Sequence, residues 1–83
     1  MSTAASSRAL NKPRPVHVRA DPGGAPVSVG RHRVEHVRES WLIEDRWWTE
    51  HPLRRRYWEL VSASGRNIVV FHELSAGRWY RHR

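Results

Sequence analysis

From Pro15 onward, apolar side chains recur at every second position, in short runs separated by small residues. In "PVHVRA" (15–20), Val16 and Val18 alternate with His17 and Arg19, the period of a strand with one face against a core. "DPGG" (21–24) is a turn signal, because proline presets φ and glycine admits φ > 0. "APVSV" (25–29) then pairs back as a second strand, ended by Gly30. In "RHRVEHVRESWLIED" (31–45), Val34, Val37 and Trp41 have helical spacing. The same residues fit a strand with one bulge near Glu35–His36, after which Val37, Trp41 and Ile43 share a face. No helix start signal precedes this segment and its neighbours are strand-like, so the strand is preferred and the helix stays as the alternative.

"RWWTEHPL" (46–53) reads as a connector, with Pro52 barring a continuous central strand. "RRRYWELVSA" (54–63) sets Arg56, Trp58 and Leu60 on one face against Tyr57, Glu59 and Val61 on the other. After a turn at "SASG" (62–65), "RNIVVFHEL" (66–74) puts Ile68, Val70, His72 and Leu74 opposite Asn67, Val69, Phe71 and Glu73. "SAG" (75–77) turns the chain into a last strand, "RWYRHR" (78–83). Strands of this length joined by tight turns predict an all-β domain over residues 14–83. Its expected form is an antiparallel meander of about five to six strands curled into an SH3-like half-barrel. Residues 1–13 (MSTAASSRALNKP) carry no apolar periodicity and read as a disordered leader.

Composition sharpens this picture. A chain of 83 residues buries a modest fraction of its surface, and its five tryptophans supply large apolar area for that purpose. The absence of cysteine excludes disulfides and thiolate metal sites. No signal-peptide pattern opens the chain and no run suits a membrane span, so a cytoplasmic location without membrane partners is expected. The net charge of +7 favours polyanionic partners in general. Seven acids between Glu35 and Glu73 interrupt that field, which favours a protein partner over nucleic acid.

The aromatic and arginine residues are the candidates for contact. Trp58, Trp41 and Trp79 are expected in the core. Trp47 and Trp48 are adjacent, so on an extended chain they point to opposite sides and cannot both fill one core face. One of them is left to anchor a protein interface or to stack on an unpaired base. Alternation sends Arg54 and Arg56 to one side and Arg55 to the other, with Arg56 on the face of Trp58. Arg78 and Tyr80 extend the basic and aromatic character to the last strand. The candidate contact set is Arg46, Trp47, Trp48, Arg54, Arg55, Arg56, Tyr57, Arg78 and Tyr80.

The order Trp47–Trp48, Arg56-Tyr57-Trp58-Glu59-Leu60-Val61, Gly65, Val70-Phe71 and Gly77-Arg78-Trp79-Tyr80 resembles a small actinobacterial family of unknown function. It is also similar to the C-terminal tail of the inactive Y-family-polymerase-like subunit of the bacterial mutasome. The likeness covers residues 41–83, with residues 15–40 resembling the stand-alone family more loosely. It implies a setting in DNA damage tolerance and translesion synthesis, and it carries no catalytic residues.

Other chemistry finds little footing. His32 and His36 would stand roughly 13 Å apart along an extended strand, too far to share a metal ion. No nucleophile elbow, zinc-protease helix or glycine-rich phosphate loop is present. Glu44 and Asp45, adjacent at a strand end, face apart. The expectation is a non-enzymatic protein without catalytic residues, metal, cofactor or small-molecule substrate. It would act as an adaptor for a protein of the damage-tolerance machinery, with binding of single-stranded DNA or RNA through an Arg/aromatic sheet face as the alternative.

Overall fold

A computed structural model describes residues 12–45, 48–50 and 52–82. Over these residues the protein is all-β: seven antiparallel strands form one sheet curled into a half-barrel. They are β1 (Arg14–Pro15), β2 (Val18–Ala20), β3 (Pro26–Val29), β4 (His32–Asp45), β5 (Leu53–Ser62), β6 (Asn67–Glu73) and β7 (Arg78–Arg81). Among the described residues there is no helix, and so none long and apolar enough to cross a membrane. The proposed leader falls largely on residues 1–11, outside the described residues.

Residues 31–45 form a strand, not the alternative helix. Its pairing with β5 shifts register twice, between Val34 and His36 and again between Val37 and Glu39. The first shift is the bulge legible near Glu35–His36. The second inverts the expected facing: Val37 stands opposite Leu60, whereas Trp41 and Ile43 stand opposite Tyr57 and Arg55. Val37 therefore does not share a face with Trp41 and Ile43, because a second extra residue returns the pleat to its original phase.

The strand expected over 15–20 is divided in two. β1 pairs with β7 and β2 with β3, at opposite ends of the sheet order β1-β7-β6-β5-β4-β3-β2. The switch occurs at Val16–His17: the Val16 N–H donates to the Trp79 carbonyl at 3.1 Å, and the His17 carbonyl accepts from the Gly30 N–H at 2.7 Å. One short segment thus holds both edges of the meander, and its division raises the strand number above the five or six anticipated.

The turns follow from local chemistry. Asp21 Oδ1 accepts from the Ala25 N–H at 2.9 Å, fixing the β2–β3 connection. Between β5 and β6, buried Ser62 accepts from the Arg66 N–H at 3.1 Å through Oγ, and Gly65 takes φ 87° to complete the turn. Inside the curl, Val29, Leu60, Ile68 and Val70 are fully buried, with Val16, Val18, Val34, Trp58 and Trp79 packed around them. Trp58 and Trp79 are core, as their alternation suggests. Ser40 Oγ and Trp58 Nε1, on residues opposite one another in β4 and β5, are buried without a hydrogen-bond partner among the described residues.

Candidate functional site: an aromatic row on the outer face

Residues paired across an antiparallel ladder share a face, so the registers define rows running across the strands. On the outer face, Trp41, Tyr57, Phe71 and Tyr80 stand directly opposite one another on β4, β5, β6 and β7, and Pro15 on β1 continues the row. The rings pack in sequence. Trp41 and Tyr57 are stacked at 5.4 Å between centroids and 5° between planes. Tyr57 and Phe71 are tilted at 5.0 Å. Phe71 and Tyr80 are stacked at 5.2 Å and 22°. His82 meets the edge of Tyr57 at 6.5 Å.

Charges of both signs border the row. On one side the register aligns Ile43, Arg55, Glu73 and Arg78. The Arg55 guanidinium lies over the Phe71 ring, 4.5 Å from its centroid, with Arg55 Nε 3.8 Å from Glu73 Oε2. Glu73 therefore stands between two arginines. On the other side Glu39, Glu59 and Val69 are aligned. The inner face carries a different set: Leu42, Arg56, His72 and Trp79 are opposite one another, and His72 and Trp79 stack at 4.2 Å with 1° between planes. Arg54 also belongs to that face and donates to Glu44 Oε2 at 2.9 Å.

The candidate contact residues thus separate. Arg55, Tyr57, Arg78 and Tyr80 come together on the outer face. Arg54 and Arg56 occupy the opposite one, as strand alternation requires. Trp48 is 66% exposed beyond the end of β4, in the connection to β5. Arg46 and Trp47 lie outside the described residues. Two members of the row were not among the candidates. Trp41 was expected in the core, and the second β4 bulge places it outside instead. Phe71 was visible only as one residue of a face shared with Val69 and Glu73. Its alignment between Tyr57 and Tyr80 depends on two registers that no single segment encodes.

Open grooves among the described residues accompany these faces. One, of about 330 Å³, runs between the N-terminal segment and β7, lined by Val16, Val18, Arg78 and Trp79 among others. A smaller one, of about 230 Å³, lies between the start of β4 and the β5–β6 turn. Among the described residues, no three His, Asp or Glu side chains converge as a metal site would require. Comparisons of this chain with protein-family models, with curated proteins and with solved structures find no match.

Proposed function

We propose that the protein is a non-enzymatic interaction module whose outer sheet face docks onto a protein partner. The observation that carries this reading is the way the row is packed: its rings stack on one another. Bases bind flat against open π-faces, but here Trp41 and Tyr57 turn ring faces towards each other, and Phe71 is enclosed by Tyr57, Tyr80 and Arg55. Such a face offers a continuous apolar ridge with tyrosine hydroxyls and mixed charge at its borders. Aromatic and arginine residues in this arrangement are the usual anchors of protein interfaces. Arg54 and Arg55 each have a glutamate within ion-pair range, which leaves less positive charge to follow a phosphate backbone. The likeness to the mutasome subunit tail suggests that the partner belongs to the damage-tolerance machinery.

The test has two arms. Single-stranded oligonucleotides should leave the tryptophan fluorescence unchanged at near-physiological salt. A partner co-purifying with the wild-type protein should be lost from a folded Trp41→Ser, Tyr80→Ser double variant. Quenching by single strands that persists at the higher salt would reverse the assignment in favour of nucleic acid.

A further inference from the structure

The sheet is closed at β3 and β7 by the N-terminal segment, yet among the described residues β4 keeps a long open side. β3 pairs with it only at His32 and Arg33, and among the described residues no strand pairs with the remainder on the side away from β5. The direction of its peptide groups follows from alternation. The Arg54 carbonyl accepts from the Leu74 N–H at 3.0 Å, so the even-numbered residues of β5 direct their backbone groups towards β6. The odd-numbered residues Arg55, Tyr57 and Glu59 then serve β4, opposite Ile43, Trp41 and Glu39. Ser40, Leu42 and Glu44 therefore direct their N–H and C=O groups to the open edge. The bulges distort β4 before Glu39, whereas Glu39–Glu44 is regular strand. Leu42 and Ile43 are each 39% exposed on it, one on either face.

Proteins rarely leave a regular, partly apolar edge unless something keeps it from self-pairing. Here the guard is charge. β4 holds Glu35, Glu39, Glu44 and Asp45, half of the eight acids in a chain of net charge +7. A twofold pairing centred on Leu42 sets Glu39 against Asp45 twice. That pairing juxtaposes like charges, which disfavours it. An incoming strand bearing lysine or arginine meets the opposite situation.

We propose that the Ser40–Glu44 edge of β4 binds an extended basic segment of a partner protein by strand addition. This rests on the docking reading and supplies its geometry: the added strand extends the sheet beyond Trp41, so its outward side chains continue the aromatic row. Backbone bonds at Ser40, Leu42 and Glu44 would hold the segment, and Glu39, together with Glu44 once its half-exposed pair with Arg54 is exchanged, would select its charge.

The experiment is an amide-resolved NMR titration of the full chain with two blocked hexapeptides, one alternating lysine with valine and one alternating glutamate with valine. The basic peptide should shift the amides of Ser40, Leu42 and Glu44 and slow their hydrogen exchange; the acidic peptide should not. Leu42→Pro, which removes an outward N–H from an edge strand, should abolish the effect, as should Glu39→Lys combined with Glu44→Lys, both checked for folding by spectral dispersion. No shift on β4, equal shifts from both peptides, or a concentration-dependent dimer protected along β4 would each overturn the proposal. Silence at β4 while Trp41→Ser, Tyr80→Ser still loses its partner sinks the edge and leaves the docking face standing.

Discussion

Phe71 stands on the outer face of β6, yet only 2% of its surface is exposed, because Tyr57, Tyr80 and the Arg55 guanidinium close over it. Its burial matches that of Leu60 on the inner face, so the domain has apolar packing on both sides of one sheet. Phe71→Ala should therefore cost about 3–5 kcal/mol, close to the roughly 2–5 expected for Leu60→Ala. Either is a large share of the roughly 5–15 kcal/mol by which such domains are stable. Arg54→Ala should change stability by less than about 1 kcal/mol, because the Arg54–Glu44 pair is half exposed on both sides. Urea unfolding of the three variants checks the ranking; a Phe71→Ala loss no larger than that of Arg54→Ala would mean the outer row is surface decoration. Arg55 separates cover from charge. Arg55→Met keeps an apolar lid over Phe71 and should stay within about 1 kcal/mol of wild type, whereas Arg55→Ala should cost more.

At the level of elements, the β5–β6 turn isolates a single backbone effect. Gly65 has φ 87°, and an added Cβ would meet nothing within 4 Å, so substitution there carries conformational strain without a clash. Gly65→Ala should cost about 1–2 kcal/mol. That corresponds to a fall in Tm of roughly 4–8 °C per kcal/mol in a domain of this size. Gly65→Asn should lose less, since asparagine tolerates the left-handed region, and equal melting of the two variants would refute the explanation. Turns of this kind are legible in sequence because the constraint is local, as "SASG" and "DPGG" show. The strands of β5 and β6 are legible for the same reason: their alternation is uninterrupted, and it correctly sets Arg55 and Tyr57 against Arg56 and Trp58. β4 is where the reading fails. One bulge can be inferred from its valines, but the second, between Val37 and Glu39, falls among Arg38 and other polar residues that fit either face. Losing that one residue of phase is enough to move Trp41 from the aromatic row to the core. The row itself is a property of three registers, so Tyr57 and Tyr80 could be proposed separately but not joined through Phe71.

For the whole molecule, the decisive pairings are those furthest apart in sequence. Arg14–Val16 closes onto β7, and His17–Ala20 closes onto β3, so two edges separated by the entire meander depend on seven consecutive residues. Val16 and Val18 also pack against the inner cluster from this segment, beside Trp79. A curled sheet held this way should lose protection at both edges together, because the entropy of bringing β3 and β7 near one segment is compensated only when both halves are bound. Removing residues 1–16 deletes the β7-pairing half and leaves His17–Ala20 attached to β3. If the segment acts as one clasp, hydrogen exchange should accelerate at Trp79 and Tyr80 on β7 and also at Ser28 and Gly30, whose amides face the segment, although β2 is still present. The amides of Trp58 and Leu60 in the central strand should change least, since their neighbours on β4 and β6 remain. Acceleration confined to β7 would show instead that the two edges are held independently.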